Sequence, residues 1–306
     1  MNERDASLRL TVSAEAVGER LDRFLAGPLG SRSAAQGAID RGAVTVDGRR
    51  RPKRHALTAG QLVEVAGAAD PARAEPAADE PAAEYGVVWE DAHLIVVDKP
   101  AGLVVHPARG HRTGTLAQAL AGRAAGGDDP VRAGIVHRLD RDTSGLLVVA
   151  RDETTHRRLK AALAARELHR EYVALADGIP EARTGTIEAP IGRDPHDRTL
   201  MAVVSGGREA RTHFEITELL RGEALLRVVL DTGRTHQIRV HLAAIGHPVV
   251  GDEAYGGPVR YGLTRQFLHA ERLSFRHPVT GEELDLHAPL PADLAAALEA
   301  ARARAE

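Results

Sequence analysis

The sequence predicts an α+β protein in two parts: a small αβ domain joined by a linker to a larger domain, whose mixed, largely antiparallel central sheet is flanked by helices. Three observations carry this. Short apolar runs recur through residues 86–230 without regular strand–helix alternation, and no glycine-rich phosphate loop follows any of them. Helical periodicity is confined to a few separated segments. A stretch of Ala, Pro and acidic residues, with Pro71, Pro76 and Pro81 spaced five apart, lacks the apolar periodicity needed to bury a core. It reads as an extended, solvated linker over 69–85, which sets the two domains at 1–68 and 86–306.

In the first domain, Leu21, Phe24 and Leu25 fall at helical spacing. Ser31-Arg32-Ser33 then offers an N-cap for a second helix running through Ile39. Val44-Thr45-Val46 followed by Asp47-Gly48 reads as a strand entering a tight turn. The basic run Arg49-Arg50-Arg51-Pro52-Lys53-Arg54 comes next and, taken alone, suits a solvated turn as well as a nucleic-acid contact. In the second domain, strands are expected at 86–89, 94–97, 135–136, 146–149, 172–175 and 225–230. Helices are expected at Thr115–Leu120, Thr154–Arg166 and Thr235–Ile245, with an Ala-rich closing helix over Pro291–Glu306.

The chain has 306 residues, no cysteine and few aromatic residues, so its core must be aliphatic, and disulfides, thiolate metal sites and cysteine nucleophiles are excluded. A charged N-terminus and the lack of a long apolar run point to a cytoplasmic protein with no membrane partner. The net charge of −3 argues against a polyanion partner until it is divided. Residues 1–67 hold 11 Arg or Lys against 8 Asp or Glu, whereas residues 68–84 hold one Arg against five acids. A basic module and an acidic linker are averaged in the single figure, and local patches decide nucleic-acid binding.

Two stretches carry candidate chemistry. His137-Arg138-Leu139-Asp140-Arg141-Asp142-Thr143-Ser144-Gly145 is a polar loop between apolar flanks, where catalytic groups are commonly displayed. On local chemistry it reads equally as a charged turn with Arg138 and Arg141 at the surface. The second stretch, Asp231 to His241, follows a buried strand and enters a helix with Thr235 as N-cap. Ile238, Leu242 and Ile245 form its apolar stripe and Arg239 lies beside them. An arginine at the edge of a buried face needs a carboxylate, because an unpaired buried charge costs several kcal/mol, or else it must reach water. A loop carboxylate from elsewhere in the chain is the obvious partner. Fifteen histidines invite a metal site, but His236 and His241 are five apart and no HExxH or His-x-His pattern occurs, so no metal is expected. Asp140 and Asp142 suit a glycosidase pair poorly, since such carboxylates usually come from separate elements.

Taken in order, several segments resemble the RluA family of pseudouridine synthases, most closely its RluD branch. They are Asp98–Pro107, Arg132–Asp140 with its His-Arg-Leu-Asp core, Arg170-Glu171-Tyr172, Gly233–His241 and Gly246–Asp252. The two short helices and basic β element at the N-terminus resemble the RNA-binding domain of ribosomal protein S4. That resemblance departs at Ala35 and Gln36, where such helices often carry more basic residues.

The resemblance implies a cofactor-free isomerase, monomeric, that turns uridine into pseudouridine in RNA, most closely large-subunit (23S) ribosomal RNA. Asp140 would be the catalytic nucleophile, attacking either the ribose anomeric carbon or the uracil ring. Tyr172 would pack against the uracil and help remove its C5 proton, and Arg239 would be the buried partner of Asp140. A base inside folded RNA must be flipped out to be reached, with Arg138 entering the vacated space. Arg234 and His106 would contact RNA near the site. Arg32, Arg49, Arg50, Arg51, Lys53 and Arg54 would contact it from the S4-like domain. Two other readings stand against this one: a non-catalytic RNA-binding ribosome-assembly factor, and the same chemistry on a different ribosomal or transfer RNA stem-loop.

Overall fold

Residues 8–29, 32–66, 83–107, 113–127 and 134–305 are described by the computed structural model; the side chains of Arg32, Ser33, Ala34 and Ala305 lie outside that description. Most of the expected linker, the Ser31 cap, and Arg132 and Ala133 of the family-like segments also fall outside it. The chain divides into two units, within residues 1–81 and 82–306.

The first unit contains β1 (Leu8–Thr11), α1 (Leu21–Phe24), α2 (Arg32–Asp40), β2 (Val44–Val46) and β3 (Leu62–Val65). Its sheet has the order β1-β3-β2, both pairings antiparallel. Leu21, Leu25, Ala35, Ala38, Val44, Val46, Leu57 and Val63 form its core. The turn after β2 closes as expected, because Asp47 and Gly48 both take positive φ, 50° and 71°, the requirement of a two-residue hairpin turn. Ala35 and Gln36 serve the fold rather than a surface. Ala35 is buried in the core, and Gln36 donates to the buried Asp22 carboxylate at 2.7 Å. Arg20 adds two bonds of 2.9 Å to the same carboxylate.

The second unit opens with β4 (Gly86–Glu90), β5 (Leu94–Lys99), α3 (Leu116–Ala119), β6 (Ser144–Ala150), α4 (Glu153–Ala165) and β7 (His169–Asp177). It continues through β8 (Thr184–Glu188), β9 (Ile191–Arg193), β10 (Met201–Val203), β11 (Arg211–Leu219) and β12 (Glu223–Leu230). Then follow α5 (Gln237–Ala244), β13 (Leu268–Arg276), β14 (Glu283–His287) and α6 (Ala292–Ala305). Nine strands form one sheet of order β4-β5-β6-β13-β7-β12-β11-β8, with β14 also pairing β13, while β9 and β10 make a separate hairpin. Within this sheet the pairings are antiparallel except β6 with β13, which run parallel at Ser144–His269 and Gly145–Ala270. The mixed, largely antiparallel sheet is therefore as expected. Gly145 is needed at the parallel seam: its φ is 110°, and a Cβ there would sit 2.2 Å from the Ala270 carbonyl oxygen.

Three local expectations change. Ile135–Val136 is no strand, since Ile135 makes a single bridge to Val149 before the chain enters the polar loop. Thr235 does not cap α5; His236 holds that position in a left-handed conformation, and Ile245 at the helix end is exposed rather than part of an apolar stripe. Strands β8 to β11, β13 and β14 are not marked by the apolar runs of the sequence. No helix among the described residues is long and apolar enough to cross a membrane.

Candidate active site

The loop between Ile135 and β6 is held by its backbone, which leaves its side chains to project. Lys99 at the end of β5 is fully buried and donates to the carbonyls of Arg141 at 2.8 Å, Pro100 at 2.7 Å and Leu103 at 2.9 Å. Burial pushes its ammonium down to about 7, against the opposing pull of Asp142 and Asp140, yet the three carbonyls together use all three protons of the charged form. Arg265 fixes the other end, donating to the Asp142 carbonyl at 3.0 Å while a two-pronged pair with Asp293, 2.6 and 2.9 Å, holds its own head. Gln266 bonds the Thr143 hydroxyl at 3.1 Å. The loop is thus braced from β5 and from the segment leading into β13.

Asp140 projects from this braced loop into a cleft lined also by Arg138, Tyr172, Arg234, His236 and Arg239. Tyr172 comes from β7 and is 5% exposed; burial raises its phenol above the usual tyrosine range, with Arg170 opposing and Asp140 adding to the rise. Arg239 comes from α5. Its Nη1 reaches Oδ2 of Asp140 at 3.4 Å, while its Nε and Nη2 hold Asp252 at 2.6 and 2.7 Å. Its guanidinium also lies 4.8 Å above the Tyr255 ring. On the other side of the carboxylate, His236 Nε2 stands 4.0 Å from Oδ1. The three residues assigned to catalysis from the sequence are therefore together, but the principal partner of Arg239 is Asp252.

This cleft adjoins a wider one of about 870 Å³, and the two share Arg138, Arg170, Gly233 and Arg234 along their common edge. Arg138 is exposed there, and half-buried Arg234 donates to the Glu209 carbonyl at 2.9 Å. His106, Lys160, Arg166 and Arg208 line the wider cleft, which mixes these bases with Glu209 and Asp231. His137 also borders it but is buried; burial first, then the nearby Arg170 charge, lower its imidazole to about 3. The basic cluster belongs to the first unit. Arg49, Arg50 and Arg54 are exposed there, Arg51 is half-buried, and Lys53 pairs with Asp40 at 3.5 Å. Arg32 lies in α2, with its side chain outside the described residues.

Sequence reasoning missed Asp252, His236, Tyr255 and Arg170 as parts of the site. Asp252 ends one of the family-like segments, so a signal existed, but nothing local shows that it faces Arg239. His236 lies in the family-like Gly233–His241 segment, but its left-handed turn toward the cleft is invisible to periodicity; Tyr255 lies outside every such segment and gave no signal.

A basic αβ element, and in the same chain a carboxylate set between an arginine and a histidine beside a buried aromatic ring, fit an enzyme acting on nucleic acid. Similarity to known proteins specifies which. The model of the RNA pseudouridylate synthase family matches residues 93–244, and that of the S4 domain matches residues 19–63. The chain is 43% identical over 310 residues to the ribosomal large subunit pseudouridine synthase D of Nitrosomonas europaea, covering 98% of this chain and 89% of that one. It is 47% identical over 295 residues to an uncharacterized RNA pseudouridine synthase of Chloroflexus aurantiacus, covering 94% of this chain and 91% of that one. Among solved structures it resembles human RNA Pseudouridylate Synthase Domain Containing 1, with a TM-score of 0.54 and 29% identity, over 70% of this chain and 87% of that one. This chain belongs to the RNA pseudouridine synthase family and carries an S4 domain; it is an RNA isomerase.

Proposed function

We propose that the protein isomerises uridine to pseudouridine in large-subunit ribosomal RNA, with Asp140 as its nucleophile. The observation that carries this is the placement of Asp140: its loop is braced through the backbone, and its carboxylate enters a cleft with a cationic donor near one oxygen and Tyr172 in the same lining. Similarity at 43% identity along 98% of this chain to a ribosomal large subunit pseudouridine synthase D supports the choice of RNA. On this reading the protein works in the cytoplasm as a monomer. Residues 1–68 grip RNA, 69–85 link, and 86–306 carry out the chemistry.

The reaction exchanges one bond for another. The N1–C1′ bond breaks, the uracil turns, C5 bonds to C1′, C5 loses its proton and N1 gains one. Asp140 attacks either C1′, in a bond that forms as N1–C1′ breaks and is released when C5 bonds to C1′, or the uracil ring, in a bond released once C5 has joined C1′. Arg239 limits the charge left on its carboxylate, and Tyr172 stacks on the ring as it turns. The hydroxyl of Tyr172 is a weak base at neutral pH, so its help with the C5 proton needs an assisting acceptor. Arg138, exposed at the junction of the two clefts, stands in for the flipped base, and Arg234 and His106 contact the backbone. Arg32 and the Arg49–Arg54 cluster supply further phosphate contacts.

The test is isomerisation in transcribed large-subunit RNA by wild type and Asp140→Asn. Loss of product in the variant is expected; equal rates would remove Asp140 from the mechanism. Mapping pseudouridines in ribosomal RNA from a deletion strain tests the substrate, and an unchanged map would send the activity to another RNA.

A further inference from the structure

His236 occupies the first position before α5 with φ 57° and ψ 22°, a left-handed conformation uncommon for non-glycine residues, though histidine adopts it more readily than most. The surroundings here are specific. The Gln237 side chain accepts from the Arg234 amide at 3.0 Å and the Thr232 hydroxyl at 2.8 Å. It also donates to the Arg211 carbonyl at 2.9 Å and to Thr212 at 3.0 Å. With Gln237 so tied, the preceding residue is turned back toward the cleft, and its ring faces Asp140.

The ring has two polar neighbours. Nδ1 lies 2.8 Å from the Tyr255 hydroxyl, and Nε2 lies 4.0 Å from Oδ1 of Asp140. The Tyr255 oxygen already accepts the Met201 amide at 3.0 Å, which leaves its own proton to be donated. If Nδ1 carried the imidazole proton, the phenol proton would lose this partner and the Nε2 lone pair would point at a carboxylate. If Nε2 carries it, Tyr255 donates to Nδ1 and an N–H points at the carboxylate. Both neighbours thus select the same tautomer. We propose that His236, fixed by Tyr255 with its proton on Nε2, is a positioning residue that directs an N–H at Oδ1 of Asp140 while Arg239 directs one at Oδ2.

Tyr255 serves both halves of this arrangement, because its ring face also carries the Arg239 guanidinium and its ring edge meets the His236 ring, 79° apart in plane. The charged and titratable groups around the imidazole are Asp140, Arg239, Asp252, Arg138 and Tyr255, and its burial favours the neutral form over the imidazolium. Neutrality matters: an imidazolium here would hold Asp140 in a tight ion pair and dull it as a nucleophile. The 4.0 Å separation is longer than a hydrogen bond, so it must shorten when substrate excludes water for that N–H to engage.

The inference rests on Asp140 being the nucleophile, so Asp140→Asn is run beside the other variants of the full chain. Heteronuclear NMR of the histidine ring nitrogens reads the tautomer directly, and kcat and KM on transcribed ribosomal RNA read its effect. His236→Ala is expected to lower kcat roughly 10- to 100-fold with KM within about 3-fold, the size of effect typical when a group orienting a reacting residue is removed. His236→Gln, which restores an N–H near the Nε2 position, recovers most of the loss. Tyr255→Phe removes the donor to Nδ1, so the imidazole protonates more readily and the acid limb of kcat moves to higher pH. A proton on Nδ1, or a wild-type kcat in His236→Ala, overturns the inference, and so does an acid limb unmoved by Tyr255→Phe. If His236→Ala fails to fold, the tautomer and the Tyr255→Phe profile still decide. Full activity in Asp140→Asn sinks the nucleophile reading instead, whatever the tautomer.

Discussion

Arg239 gives two nitrogens to Asp252, at 2.6 and 2.7 Å, and a single one to Asp140, at 3.4 Å. The difference has a chemical use. A guanidinium bound two-pronged to Asp140 would quench the carboxylate that reacts in the proposed mechanism. Bound instead to Asp252, which is almost wholly buried, it is fixed in place and largely neutralised. Asp140 then feels a cation that orients one oxygen without engaging both.

Asp252→Asn tests this division of labour. The variant leaves Arg239 buried with half its partner, and breaking a buried pair costs on the order of 3 kcal/mol. Denaturant unfolding is expected to show that loss. In the folded fraction the freed guanidinium turns to Asp140, so kcat falls by about 10-fold or more while KM changes little. A variant as stable and as fast as wild type would show that Asp252 does not hold Arg239.

Tyr172 gives a pH prediction. Burial moves its phenol above its ordinary value near 10, so phenolate is scarce at neutral pH. With the phenol neutral, wild-type kcat is expected to carry no rise of about tenfold per pH unit that Tyr172→Phe abolishes, because only a phenolate acting as base would give that slope below its raised pKa. Tyr172→Phe keeps the stacking wall, so its KM stays near wild type, whereas Tyr172→Leu weakens binding as well. A basic rise in kcat at lower pH that vanishes in Tyr172→Phe would mean the phenol ionises in the site.

That Asp140, Tyr172 and Arg239 meet in one cleft was legible in the sequence because each sits in a segment whose residue order is distinctive. The fold class was legible too: apolar runs without regular helix alternation leave few sheet topologies. What escaped depended on partners distant in sequence. Asp252 acquires its role only when the turn after α5 folds back on Arg239, 13 positions away. Strands β8 and β11 carry polar and charged residues on their open face, and β13 breaks alternation at the bulge between His269 and Arg272. Ile135 and Val136 misled in the opposite direction: two apolar residues at a single bridge mimic a short strand.

His137, three residues before Asp140, makes stability sensitive to acid. Its imidazole is held down to about 3 by burial and by Arg170, whereas an unfolded histidine protonates near 6.5. Between those values the unfolded chain binds the extra proton, so stability is fully present above about pH 6.5 and is lost as pH falls. The slope approaches roughly 1.4 kcal/mol per pH unit from this one group. His137→Gln should flatten that dependence in urea unfolding measured between about pH 4 and 7. An unchanged slope would assign the acid sensitivity to other groups.

The S4 domain offers a prediction in ionic strength rather than pH. Arg49, Arg50 and Arg54 are exposed on and after the tight turn, while Lys53 is engaged by Asp40 and Arg51 is half-buried. Exposed arginines that neutralise phosphates release counterions. Removing one such arginine therefore lowers the slope of log affinity against log salt by about 0.9 on a duplex and about 0.7 on a single strand. Replacing Arg49, Arg50 and Arg54 together by Gln should weaken binding most at low salt and reduce the slope by about 2 to 3. KM should rise while kcat holds, because none of the three residues lines the Asp140 cleft. Gln36, bonded to Asp22, and Ala35, buried in the core, predict a further contrast: Gln36→Ala should lower stability and leave the salt slope where it was. If the triple variant kept the wild-type slope, the turn would be a solvated charge cluster and RNA would be gripped by another face of the domain.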